Sequence, residues 1–253
     1  ASDYAKANGG EVIALTVPCP VAARMSFQSG FVLDALNGWR EPMALPDDEK
    51  MELLADADRR RELNELAQGP SPLRGIAKWH NLTVGEIFSE ENEVFQGRTI
   101  GEIAENEGRE TFDVLCDIVL NDRLQTGLYS PNRGDDDETW KLRVETWRDE
   151  RTMVGGTDAG AHLDLLATFN ATTTMLSSAV KDRNLLSWEE AVHFISDAPA
   201  QMYGMKQRGR LEEGYHADIN VISPEDISTN PTEIRHDLPG GAWRLYGTAN
   251  GYD

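Results

Sequence analysis

The stretch that most constrains this chain is Thr152 to Asp164, TMVGGTDAGAHLD, a short apolar run that stops on two glycines and then presents Asp158 and His162. The pattern predicts a buried strand delivering a carboxylate into a flexible mouth. Barrel enzymes place a general base or a metal ligand in this way, at the C-terminal ends of their strands. The alternative for Asp158 is a cap on the following turn. His162, four residues on, either hydrogen-bonds Asp158 or a substrate oxygen, or is a satisfied structural histidine.

A second short strand is expected at EVIALTV, residues 11 to 17, which is β-branched, follows Gly9 and Gly10, and ends at Pro18 and Pro20. It reads as buried. Between these strands the chain is polar and helical. An acidic first turn at Asp47 opens a helix closed by Gly69 and Pro70, and Ile76 to Val84 reads as a further strand. Thr99 to Glu102 forms a capping box, a helix follows in RETFDVLCDIVLND, and the acidic run Asp135 to Glu138 starts a helix carrying Trp140 and Trp147. The region from about 40 to 148 exceeds an ordinary crossover and reads as an insertion between two strands.

Beyond Asp164, LLATFNATTTMLSSAV is helical, and Ser187 to Glu190 is a second capping box opening AVHFISDAPAQMYGM, which Pro199 should split into two short helices. From Gly209 the composition shifts to the alternation GRLEEGYHADINVIS, expected to be a hairpin with Ile219 and Val221 on one face. A second, β-rich domain starts there.

With 253 residues the chain can bury a sizeable core, and no apolar run approaches the ~20 residues of a membrane span. The balance of 44 acidic against 24 basic residues, net -20, repels phosphate backbones and anionic lipid, so neither nucleic acid nor a membrane is expected as a partner. Cys19 and Cys116 lack the spacing of a disulfide framework or zinc ribbon, which fits a reducing cytoplasm. The N-terminal residues carry no secretory signal pattern and read like the interior of a longer protein.

Other candidates for chemistry are weaker. His80, His193, His216 and His236 are scattered and form no HxH or HExxH pair. His193 lies in a predicted amphipathic helix and reads as a packing residue. Cys19, at the end of a strand, sits at a plausible active-site edge but reads as a buried structural thiol. The chain contains no GxSxG, phosphate-binding loop or GxGxxG.

Taken together, GGTDAGAHLD, SWEEAVHFISDAPAQMYGM and GRLEEGYHADINV resemble the C-terminal part of the amidohydrolase superfamily, in its N-acyl-D-amino-acid deacylase branch. Gly209, Leu211, Gly214, Ala217 and Asp218 match the superfamily's return from barrel to sandwich, and DLPGGAWRLYGTANGYD also resembles that branch. The resemblance is close over about the last 100 residues and looser before them. It implies an α/β fold: the C-terminal part of a TIM-like (β/α)8 barrel over residues 1–208, with the helical insertion, then the start of a small β-sandwich over 209–253. The activity it implies is zinc-dependent hydrolysis of an amide in a small N-acyl amino acid, with Asp158 as a metal ligand that activates metal-bound water and His162 as a residue that hydrogen-bonds a metal ligand or contacts the substrate.

The sequence departs from the family in having no HxH pair, and EVIALTV counts back to about the seventh of eight strands. The chain is therefore expected to be a piece of such an enzyme that does not assemble the metal site alone. Two other readings remain open: a cyclic-amide hydrolase of the dihydroorotase or hydantoinase type, and a non-catalytic fragment or subunit lacking the metal ligands.

Overall fold

The computed structural model describes residues 1–253 except Ala22, Asn132, Arg133, Asp158, Ala161 and His162. The chain divides into two compact units, a discontinuous one (Ala1–Val21 with Asn132–Asp253) and a continuous one (Ala22–Pro131). Both helices and strands are present, an α/β composition.

In the discontinuous unit, Ala14–Thr16 pairs in parallel with Thr152–Val154, with Leu15 opposite Met153. The Thr16 carbonyl then accepts from the N–H groups of both Gly155 (3.1 Å) and Gly156 (3.2 Å), which holds the glycines at the strand's C-terminal end. The two strands differ in burial. Met153 and Val154 are buried, whereas Leu15 is 50% exposed and Val12 46%. EVIALTV is thus a shorter and more open strand than its β-branched composition predicts, because burial depends on which elements cover a strand and composition carries no record of them.

Val154 packs with Trp140, Val144 and Trp147 of the helix Asp137–Trp147, and with Met175, Leu176, Ala179 and Val180. Asp136 caps that helix, its carboxylate accepting from Thr139 N–H at 2.8 Å, as the acidic run predicts. The Ser187 capping box is also present, with Glu190 N–H on Ser187 Oγ at 3.2 Å and Ser187 N–H on Glu190 Oε2 at 3.1 Å.

Pro199 does not split the helix it was expected to split. Trp188–Val192 passes into wider π-type turns at His193–Asp197 and returns to α geometry at Ala198–Met202, with Asp197 (φ -67, ψ -47) and Ala198 (φ -59, ψ -49) still right-handed helical. The widened turns change the hydrogen-bond spacing just before Pro199, the residue that has no N–H to donate.

The segment from Gly209 also departs from expectation. GRLEEGYHADINVIS forms no hairpin: Leu211 is 82% exposed, Ile219 58% and Val221 57%. A lone hairpin with no layer on its apolar face is marginal. It is tied down at its start, where Arg210 donates to Asp197 and Ser196 Oγ donates to the Gly209 carbonyl, and at its end, where Ile222 bridges Tyr252 and Ser223 N–H donates to the Gly251 carbonyl. Two small antiparallel pairs follow, Ser228–Thr229 with Ala249–Asn250 and Glu233–Arg235 with Arg244–Tyr246.

The continuous unit is mainly helical. Its core centres on Trp39, Trp79 and Phe112, whose rings stand 5.2 to 5.8 Å apart. The expected single helix from Asp47 is two, Asp47–Ala55 and Ala57–Ala67. The break falls at Asp56, which turns extended (φ -82, ψ 120) and accepts from Asp58 and Arg59 N–H at 2.9 Å. Ile76 to Val84 is two 3-10 turns, Arg74–Ala77 and Trp79–Asn81, before a strand of only Thr83–Val84. Trp79 explains the difference: its ring is buried while its Nε1–H donates to Asn64 Oδ1 at 2.9 Å. The Thr99 box and the helices Ile100–Glu107 and Thr111–Asn121 are as predicted, and Gly108 (φ 63) ends the first of these in the left-handed conformation.

Candidate functional site

The strand Thr152–Val154 brings the chain to the candidate mouth. Gly155 and Gly156 lie at its C-terminal end, bonded to Thr16. Neither is demanded by crowding: a Cβ on Gly156 would stand 3.8 Å from Leu15 Cβ, an ordinary contact. Asp158 and His162, the two residues singled out for catalysis, lie outside the described residues. Just beyond them, the Leu163 carbonyl accepts from Leu245 N–H at 2.8 Å, which ties the loop to the strand Arg244–Tyr246.

Cys19, at the end of the neighbouring strand, is 4% exposed. Burial pushes its thiol up to about 11, with the positive charge of Arg143 opposing the shift. Cys19 is therefore a neutral thiol at pH 7, poorly suited to act as a nucleophile or metal ligand, in keeping with its structural reading. Cys116, in the continuous unit's core, is pushed up to about 12 by the same cause.

Among the described residues, no histidine joins a group that could hold a metal ion. His80, His216 and His236 are exposed. His193 is exposed too, contrary to the packing role predicted for it, and its Nδ1 stands 3.1 Å from Asp197 Oδ2. Arg210 also donates to Asp197 through Nε and Nη2, and Gln201 donates at 2.8 Å. The hydrogen bond from Arg210 holds the Asp197 carboxyl down at about 2.

His193 borders a groove of about 690 Å³ with Glu11, Trp147, Met153, Phe194 and Gln201. Its wall runs along the strand Thr152–Val154 and includes Arg148, Asp149 and Glu150, which precede it. Among the described residues, no three of His, Cys, Asp and Glu are grouped to hold a metal ion. A zinc site thus does not fit the side chains that can be described.

Sequence reasoning missed two arrangements. One is a buried network in the continuous unit, where Arg24, 2% exposed, donates from Nε to Glu86 Oε2 at 3.0 Å and Tyr129 donates to Glu86 Oε1 at 2.5 Å. Burial, and then the Glu86 charge, push the Tyr129 phenol well above its ordinary value. The other is Thr168, whose buried hydroxyl has no hydrogen-bond partner. Neither belongs to a spacing motif. The only sequence signal was the threonine-rich run after Ala167.

The amidohydrolase family profile matches residues 56–245. The chain belongs to the amidohydrolase family. It is 37% identical over 60 residues to N-acyl-D-aspartate deacylase of Alcaligenes xylosoxydans xylosoxydans, covering 24% of this chain and 12% of that protein. It is 31% identical over 70 residues to dihydroorotase of Lactobacillus acidophilus, covering 28% and 16%. Among solved structures it is similar to N-acyl-D-glutamate deacylase from Bordetella bronchiseptica, complexed with zinc and a phosphonate inhibitor (TM-score 0.44, 18% identity, 89% of this chain and 36% of that one). A D-aminoacylase crystal structure is also similar (TM-score 0.37, 20% identity, 68% and 32%). The chain thus matches 12 to 16% of the length of these curated relatives and about a third of the solved enzymes. Among the described residues, no helix is long and apolar enough to cross a membrane.

Proposed function

We propose that the protein carrying this chain is a metal-dependent hydrolase of amide C–N bonds that deacylates N-acyl-D-amino acids. The observation that carries the reading is the family match over residues 56–245, which includes the strand Thr152–Val154, its terminal glycines and the Asp158 that follows. The named deacylase relatives support the substrate class.

In this reading residues 1–208 are part of a TIM-like barrel with the insertion at about 40–148, and 209–253 begin a β-sandwich. Asp158 takes a proton from the attacking water and returns it to the departing amine, and His162 contacts substrate or steadies Asp158. A metal such as zinc would supply the Lewis acid that polarises the amide carbonyl. The described residues do not assemble its ligands.

The test is native mass spectrometry of the protein from its natural source, followed by assay of Asp158→Asn. We expect a polypeptide heavier than 28.1 kDa that carries metal. The variant should keep its metal while losing about 10²- to 10⁴-fold in hydrolysis of N-acyl-D-amino acids. Full activity in Asp158→Asn would overturn the assignment of the base. The dihydroorotase likeness supports a second reading, hydrolysis of a cyclic amide, and ring opening without N-acyl cleavage would favour it.

A further inference from the structure

The groove beside the strand Thr152–Val154 lies wholly within the discontinuous unit. Its volume of about 690 Å³ falls inside the range of small-molecule pockets, roughly 300–1,000 Å³. Trp147 and Met153 are buried in its wall, Phe194 is half-buried there, and Met202 is exposed.

The charged groups of that wall differ in how far they are committed. Arg148 donates to Glu190 from Nε at 3.0 Å and from Nη2 at 3.2 Å, and Asp149 accepts from Arg151 at 2.9 and 2.6 Å. His193 has Asp197 at 3.1 Å, and Glu150 has Lys6 at 3.7 Å. Glu11 is the charged side chain of the wall that has neither a hydrogen bond nor an ion pair among the described residues.

A second polar group is also left over. Trp147 is 3% exposed. The indole N–H groups of Trp39, Trp79 and Trp140 each have an acceptor, at 2.9, 2.9 and 2.7 Å, whereas that of Trp147 has none among the described residues. A buried indole N–H normally finds a partner. The Trp147 Nε1–H is not sealed off either, since the fully enclosed orphan among the described residues is the Thr168 hydroxyl. The groove that Trp147 lines is therefore where this donor is open.

We propose that the groove binds a small primary amine that has an apolar body and a hydrogen-bond acceptor. Its ammonium sits on Glu11, its acceptor takes the Trp147 N–H, and its body lies on Met153, Phe194 and Met202. Charge complementarity sets the sign of the ligand: the arginine of the wall already holds Glu190, so the charge left over is that of Glu11. The field of a chain with net charge -20 also draws cations in and repels both an anion and a second copy of the chain. The site is independent of the deacylase reading.

The test is titration of the ¹⁵N-labelled chain with tyramine, whose phenol oxygen is the acceptor, read at the Trp147 indole N–H. Phenethylammonium, which lacks the acceptor, and para-ethylphenol, which lacks the charge, are the comparisons. We expect saturable indole shifts with tyramine and binding about fivefold weaker with either comparison. Glu11→Gln should weaken tyramine about fivefold and leave para-ethylphenol unchanged. Trp147→Phe, followed by calorimetry, should abolish the preference for tyramine over phenethylammonium. An unmoved Trp147 indole, equal binding of the three compounds, or wild-type tyramine binding in Glu11→Gln would overturn the site. So would an indole resonance that moves on dilution without any amine, which would show a second copy of the chain covering the groove. If Trp147→Phe does not fold, the three-compound comparison and Glu11→Gln, at an exposed position, decide.

Discussion

Replacing Gly127 with alanine should destabilise the continuous unit far more than a single methyl group suggests. A Cβ at Gly127 would stand 1.7 Å from Glu86 Oε2, 2.9 Å from its Cδ and 3.1 Å from its backbone nitrogen, so the Glu86 carboxylate must move away. That carboxylate accepts from Arg24 Nε at 3.0 Å and from Tyr129 Oη at 2.5 Å. Arg24 is 2% exposed and cannot follow it into water. Removing one partner of a buried ion pair costs about 3–5 kcal/mol. Glu86 is 22% exposed and can rehydrate, and the Gln125 carbonyl still accepts from Arg24 at 3.4 Å, so the low end, about 3 kcal/mol, applies.

Urea unfolding followed by tryptophan fluorescence, to which Trp39 and Trp79 contribute, would show this as a midpoint lowered by about 1–3 M. The mechanism also predicts non-additivity. In a Glu86→Ala background there is no carboxylate to displace, and Gly127→Ala should cost less than about 1 kcal/mol. Equal cost in both backgrounds would refute the displacement argument and point to backbone strain.

Thr99→Ala should cost the same unit about 1 kcal/mol, with Thr99→Ser near wild type in urea unfolding, because the Thr99 hydroxyl accepts the Glu102 N–H at 3.2 Å. The Asp197 carboxyl, held at about 2, is depressed below its ordinary value, so its contact with Arg210 adds stability that is fully present above that value and lost as pH falls through about 2. Carboxyl NMR should follow this titration, and Arg210→Ala should move the midpoint up toward 3.8; an unmoved midpoint would remove Arg210 as the cause.

How much could be read without coordinates depended on how local each feature is. Thr99 with Glu102, Ser187 with Glu190, and Asp136 with Thr139 are pairs three residues apart, and each cap forms where the sequence places it. The family was legible for a related reason, since its motifs around Gly155, Ser187 and Gly209 are short runs of residues. Asp158 and His162 were legible as candidates, and they remain proposals.

Other features needed the folded chain. Asp56 breaks a helix that the periodicity carried straight through, because its side chain found a better use as a cap. Leu15 is exposed although its strand read as buried, and His193, read as a packing residue, turns outward to Asp197. The Arg24, Glu86 and Tyr129 network joins residues 43 and 62 positions apart, and the orphaned hydroxyl of Thr168 is visible only once its surroundings are known. Hydrogen bonds within one helical turn are set by neighbours in the chain, so the sequence alone determined the caps, most helices and the family. Burial, ion pairing and unsatisfied polar groups depend on what distant segments bring alongside, and only tertiary structure decided those.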